Sequence, residues 1–173
     1  PGSFAGALGA FAASASNLFV GTWLGGAIAA QLEVTVIDWL RQALGLPDRF
    51  AGGILTSGGS LANLDALAAA RARARARGKT GFRVYVTREA HYSVDKAARV
   101  IGVPADDIVV VDVDDAQRLR TASLARDLAQ DAAAGREPGV VVVTMGTTTP
   151  GAVDPIAEAA ALAARPGAWL HVD

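Results

Sequence analysis

The chain has 173 residues, 51% of them hydrophobic, and its formal net charge of −1 at pH 7 excludes a general attraction to nucleic acid or to an anionic membrane. The absence of cysteine excludes disulfides, thiolate metal sites and a cysteine nucleophile. No apolar run reaches the roughly 18 residues of a membrane span, and no signal-peptide pattern opens the sequence, so we expect a cytoplasmic protein without membrane partners.

The first 26 residues are rich in glycine, alanine and serine and show no clean apolar period, which predicts irregular or short helical structure. This segment could be an arm packed on its own domain or on a partner subunit. From Gln31 onward a helical pattern is clear, and Gly45 and Pro47 end it. The apolar stripe of this helix comprises Leu32, Val36, Trp39, Leu40 and Ala43.

A glycine loop, residues 56–64 (TSGGSLANL), follows the apolar run 53–55, which we expect to be the end of a strand. Glycines allow close approach to a ligand, and we expect Ser60 to cap a helix over residues 60–77. The free N–H groups at such a helix start bind a phosphate or a carboxylate. The four arginines that end this helix are spread over two faces, which favours a solvated helix end over a nucleic-acid site.

Beyond Gly81, apolar runs alternate with helical patterns. Runs without polar alternation are buried on both faces, so the chain is predicted to be an α/β protein with a parallel sheet. The acidic residues clustered near residues 106–115 match the spacing of no metal loop and are interpreted as caps and turns. The predicted strands are 82–86, 108–113, 140–144 and 168–172, and the predicted helices are 92–101, a long helix through Leu119, Leu124 and Leu128, and 154–164.

Ligands of parallel sheets collect at the carboxyl ends of the strands. Reading those ends gives the glycine loop, His91, the threonines at 147–149 and Asp173. Each has a simpler interpretation, since His91 or Asp173 could cap a helix and the threonines could form a turn. Together they suit a cofactor that carries a phosphate at one end and a basic ring nitrogen at the other.

Four segments resemble the pyridoxal-phosphate-dependent group II amino-acid decarboxylases, the family of aromatic-amino-acid and glutamate decarboxylases. They occur in the family's order, and residues 1–30 are similar only loosely. The segments are 56–64, 90–97 (AHYSVDKA), 146–155 (GTTTPGAVDP) and 169–173 (WLHVD).

The resemblance implies the large domain of a fold type I pyridoxal 5'-phosphate (PLP) enzyme, a mainly parallel sheet flanked by helices, incomplete in this chain. It assigns Gly59, Ser60 and Thr148 to the cofactor phosphate, and His91 to stacking on the pyridine ring near the reacting carbon. Asp173 would pair with the protonated ring nitrogen. A carboxylate about 3 Å from that nitrogen stabilises the cation by several kcal/mol at an effective dielectric constant near 20.

The implied reaction is decarboxylation of a small-molecule L-amino acid to an amine and CO₂, in a homodimer. Residues 1–30 would form a segment that can contact the partner subunit, and residues 31–173 part of the PLP-binding domain. The family's catalytic lysine is expected beyond residue 173, since neither Lys79 nor Lys96 occupies its position.

Alternatives are another fold type I enzyme, such as an aminotransferase, a carbon–sulfur lyase or a sphingosine-phosphate-lyase-like enzyme, and a degenerate, non-catalytic homologue. A nucleotide-binding α/β domain is disfavoured because no glycine-rich nucleotide motif follows any predicted strand.

Overall fold

A computed structural model describes residues 2–50 and 52–173, which form two compact units, one ending at Leu55 and the other beginning at Thr56. The first unit contains helix α1 (Phe4–Ser16), helix α2 (Trp23–Ala43) and a 3₁₀ turn (Asp48–Phe50). No residue of α1 is buried. Within the described residues, no helix combines the length and the apolar character needed to cross a membrane.

The first unit is more helical than the sequence predicts, because α1 is a regular helix and α2 begins at Trp23 rather than at Gln31, with a kink at Gly26, where the backbone is not helical. Ser3 and Thr22 start the two helices by accepting hydrogen bonds from the N–H groups of Gly6 and Gly25, at 3.0 and 3.3 Å. Alanine favours a helix without marking an apolar face. A search for periodic apolar residues therefore misses such a helix.

The second unit is a parallel sheet of order β2-β1-β3-β4 with helices on both faces, as predicted. Helices α3 and α4 cover one face, and α5 and α6 cover the other. The strands are β1 (Arg83–Thr87), β2 (Ile108–Val111), β3 (Pro138–Val143) and β4 (Trp169–Val172). The helices are α3 (Gly59–Ala76), α4 (Tyr92–Val100), α5 (Thr121–Ala133) and α6 (Ile156–Ala164).

Alternate residues of each central strand supply the two cores. Val84 and Val140 pack with Leu67 of α3, whereas Tyr85 and Val141 pack on the α5 and α6 side. Strand β3 is buried along its whole length, which explains its unbroken valine run. The two central strands are therefore covered by apolar side chains on both faces.

Two local predictions at the glycine loop are wrong. Residues 53–55 do not form a strand. The cap of α3 is Gly58 rather than Ser60, and its φ of +140° is open to glycine but strained for other residues. Ser60 consequently lies inside the first turn of the helix.

The acidic segment after β2 forms a turn, as predicted. One Asp114 oxygen accepts hydrogen bonds from the N–H groups of Ala116 and Arg118, both at 2.9 Å. Within the described residues, no group of three or more potential acidic or histidine ligands is arranged to hold a metal ion.

Candidate active site

A cavity of about 380 Å³ lies within the second unit, beside the starts of α3 and α4 and the carboxyl ends of β3 and β4. All five residues that the sequence predicts for the site line it. Three further residues, which sequence reasoning did not assign, complete the wall. The lining residues are Gly59, Ser60, Asn63, His91, Thr144, Gly146, Thr148 and Asp173.

The start of α3 offers an anion site. In the described part of the chain, the N–H groups of Gly59 and Ser60 donate to no protein acceptor. A β-carbon added at Gly59 would meet nothing within 4 Å, so the space in front of this backbone is open. Free N–H groups at the positive end of a helix dipole are suited to a phosphate.

The threonine segment divides its roles between a turn and the cavity. The buried Thr147 holds the turn, because its hydroxyl accepts a hydrogen bond from the Ala152 N–H and its own N–H donates to the Ala152 carbonyl, both at 2.9 Å. Thr148 is exposed and lines the cavity. The turn interpretation therefore holds for Thr147, whereas the predicted contact of Thr148 with a phosphate stays a prediction.

Asp154 fixes the same loop from behind. Its buried carboxylate accepts hydrogen bonds from the N–H groups of Leu119 and Thr144, each at 2.7 Å. It thereby positions Thr144, at the cavity wall, directly after β3. In the sequence, Asp154 was interpreted only as the start of the following helix, and its burial becomes visible only in the structure.

His91 both caps a helix and lines the cavity. It precedes α4, and its Nδ1 atom lies 3.3 Å from the Ser93 N–H nitrogen and 2.7 Å from the Ser93 hydroxyl oxygen. The prediction that His91 could cap a helix is thus correct. The cap uses only one ring nitrogen, and His91 also lines the cavity.

Asp173 follows β4 and is held by the sheet. Its N–H donates to the Val143 carbonyl at 2.9 Å, and its carbonyl accepts from the Met145 N–H at 2.8 Å. Its carboxylate accepts a hydrogen bond from the Asn63 amide at 3.2 Å. This placement brings a carboxylate into the same cavity as the start of α3, in accord with the sequence prediction.

Sequence reasoning did not assign three polar neighbours of these residues, namely Asn63, Ser93 and His171. Asn63 is 3% exposed and lies on the stripe of α3 that buries Leu67. A polar residue on a buried stripe needs hydrogen-bond partners, so its position was a readable signal. His171 is two residues before Asp173 and shares its side of β4, and burial lowers the pKa of its imidazole against the opposing effect of the Asp173 charge.

These features define a helix-flanked parallel α/β domain with an anion site, an imidazole and a carboxylate around one cavity. Residues 2–173 match the sequence profile described as the pyridoxal-dependent decarboxylase conserved domain, and the chain belongs to this family. The predicted family is confirmed, and the match extends through the N-terminal residues that looked only loosely similar.

The relatives agree with this assignment. The chain is 38% identical to an aromatic-L-amino-acid decarboxylase of Bacillus atrophaeus, covering 100% of this chain and 36% of the relative. It is 36% identical to an L-2,4-diaminobutyrate decarboxylase of Rhizobium meliloti, and the match covers 92% of this chain and 32% of the relative. The crystal structure of Oryza sativa TDC with PLP and tryptamine matches with a TM-score of 0.91 at 35% identity, covering 99% and 38%. The chain thus spans about a third of the length of these proteins.

Proposed function

We propose that this chain is part of a PLP-dependent decarboxylase that converts an L-amino acid into its amine and CO₂. The observation that carries the proposal is the single cavity in which a free helix start and an aspartate carboxylate occur together. The family membership supports the same reaction class. Its relatives carry the names of decarboxylases for chemically different amino acids, so the substrate is best sought among both aromatic and diamino acids.

The donor set of the cavity fits the cofactor. We assign the phosphate to the N–H groups of Gly59 and Ser60 and to the hydroxyls of Ser60 and Thr148, because these are the donors at the open start of α3 and beside it. When bound, PLP supplies a protonated pyridine ring that accepts the electrons left by the departing CO₂.

The carboxylate and the imidazole act on the ring end. Asp173 keeps the proton on the ring nitrogen, since a nearby negative charge favours the cationic form. We assign His91 to stacking on the ring, with its position fixed by the contacts of Nδ1 to Ser93. The side chains of this chain would therefore bind and orient the cofactor and keep a proton on its ring nitrogen. The catalytic lysine is to be sought in the rest of the full-length protein.

The test is the visible absorbance of the full-length protein mixed with PLP, before and after borohydride reduction, with the labelled lysine mapped. A reducible band on a lysine outside residues 1–173 is expected, followed by release of CO₂ and amine from an amino-acid panel containing aromatic and diamino acids. Keto acid, sulfur or aldehyde products would indicate another fold type I reaction. A protein with no band and no labelled lysine would be a non-catalytic homologue, and the proposal would be wrong.

A cytoplasmic homodimer is part of the same proposal. Large apolar side chains of the first unit are exposed, including Phe4 at 81% and Leu24 at 100%, and a second copy of the protein would cover them. Light scattering of the full-length protein should give twice the mass of one chain. A monomer mass at micromolar concentration would contradict this part of the proposal.

A further inference from the structure

Asn63 joins three separate elements around the cavity. Its Nδ2 atom donates to the Ser93 hydroxyl on α4 at 2.9 Å and to the Asp173 carboxylate after β4 at 3.2 Å. Its Oδ1 atom lies 2.7 Å from Nε2 of His171 on β4. The side chain is nearly fully buried, and these three contacts use both of its N–H groups and its carbonyl.

The direction of these hydrogen bonds is fixed by chemistry. An Asp173 carboxylate only accepts, so it must face the Asn63 NH₂ group rather than its carbonyl oxygen. The Asn63 oxygen then needs a donor, which assigns the proton of His171 to Nε2. The opposite orientation would place the amide oxygen against the carboxylate, and neither of these groups can donate a hydrogen bond.

The same direction continues to His91. The Ser93 oxygen accepts from Asn63, so the Ser93 hydroxyl proton is free to donate to Nδ1 of His91, 2.7 Å away. The Ser93 N–H also faces this Nδ1 atom. Nδ1 is therefore an acceptor, and the proton of the neutral imidazole lies on Nε2.

We propose that Asn63 is a positioning residue that holds the Asp173 carboxylate and, through Ser93, sets the orientation and tautomer of His91. We call Asn63, Ser93, His91, His171 and Asp173 the site network. The catalytic meaning of this role rests on the proposed function, whereas the hydrogen-bond role does not. The Asn63 amide thus links Asp173, which we assign to the ring nitrogen, with His91, which we assign to the ring face.

The first test reads the network without cofactor. Nitrogen-15 NMR of selectively labelled histidines in the cofactor-free, full-length protein should show Nε2–H tautomers for both His91 and His171. Asn63→Leu removes donor and acceptor and should move both signals towards a mixture of tautomers. Asn63→Asp has nearly the same size and keeps an acceptor for His171, so it should alter His91 while His171 keeps its tautomer.

The matched control is Tyr85→Phe, which removes a buried hydrogen bond on the other face of the sheet and should leave both histidine signals unchanged. Wild-type His91 signals in both Asn63 variants would overturn the proposal. So would the same histidine changes in Tyr85→Phe, because the cause would then be a general loss of rigidity.

The second test concerns catalysis. In the PLP-loaded, full-length enzyme, Asn63→Leu should lower kcat about 10- to 100-fold and change KM less than about twofold, as expected when a supporting residue is lost. In an Asp173→Ala background the same change should have less effect, because the carboxylate that it positions is absent. Fully additive effects would overturn the coupling. Failure of the proposed function would appear differently, as a wild-type protein without a borohydride-reducible band.

Discussion

The second unit contains two polar clusters, each built around a buried polar side chain, and they differ in how their hydrogen-bonding capacity is used. On one face, the Asp131 carboxylate accepts from the Tyr85 hydroxyl at 2.5 Å and from Arg136 at 2.7 Å, and it lies 2.7 Å from Nε of Arg83. We call these four residues the Asp131 cluster. In the site network, by contrast, Asn63 is the one described side chain that hydrogen-bonds Asp173, and this carboxylate faces a cavity.

The charges around the two carboxylates differ in the same way. Burial by itself would raise the pKa of Asp131, but the Tyr85 and Arg136 hydrogen bonds and the Arg83 charge hold it below its usual value. Burial, together with the Asp131 hydrogen bond, raises the pKa of Tyr85. A carboxylate surrounded by two guanidinium groups and a phenol stabilises the fold. The Asp173 carboxylate, by contrast, has unused acceptor capacity and lines a cavity, so it is available to a cationic group of a ligand.

The largest expected effect on stability is that of Asp131→Ala. The change leaves the Tyr85 hydroxyl without an acceptor and Arg83 with only its second partner, Asp107, at 2.9 Å. We expect the free energy of unfolding to fall by about 2–4 kcal/mol, because Arg83 loses one of its two carboxylates and a buried hydroxyl loses its hydrogen bond. Urea unfolding of the full-length protein measures this, and the absorbance of PLP bound to the remaining folded protein should be unchanged. A loss below about 1 kcal/mol would show that the cluster is not structural.

Asp173→Ala should lower turnover strongly and change the stability of the fold much less. Loss of the charge proposed to keep the ring nitrogen protonated is expected to lower turnover of the full-length protein about 1000-fold, equivalent to about 4 kcal/mol. Retention of PLP should fall far less, because the phosphate contacts proposed for Gly59 and Ser60 do not involve Asp173. Steady-state kinetics and a cofactor-binding titration separate the two quantities. Normal turnover in this variant would show that the assignment of Asp173 to the ring nitrogen is wrong.

The sequence predicted one side of this comparison better than the other. Gly59, Ser60, His91, Thr148 and Asp173 follow strands or open helices, and the geometry of a parallel sheet brings such positions to one edge. Unbroken valine runs likewise mark buried strands. Both signals are local, although the choice of Gly59, Ser60 and Thr148 within their loops came from the resemblance to the decarboxylase family.

What the sequence did not reveal depends on contacts between distant residues. Asn63 meets partners 30, 108 and 110 positions away, and nothing within α3 specifies which buried polar groups will face it. The Asp131 cluster similarly joins β1 to α5 and to the turn after it. Tertiary packing decides these pairings. A polar residue on a buried stripe signals only that a partner exists.

The smallest expected effect is a pH dependence of stability that comes from His171. Burial lowers its pKa in the folded state, so the unfolded chain takes up a proton first as the pH falls below about 6.5. Its contribution to stability is therefore complete above that pH and is lost as the pH falls towards the lowered folded-state value. The slope from one such group is at most about 1.4 kcal/mol per pH unit.

His171→Gln isolates this contribution, because the glutamine amide can still donate to the Asn63 oxygen but does not titrate. Asp173 and Asn63 lie beside position 171 in both proteins, so their own contributions cancel in the comparison. Urea unfolding at pH 7.5 and pH 5.5 should show a smaller loss of stability in the variant than in the wild-type protein. Identical losses of stability in the two proteins would mean that His171 accepts a proton in the folded protein as readily as in the unfolded chain. The assignment of a neutral His171 with its proton on Nε2 would then hold only above about pH 6.5.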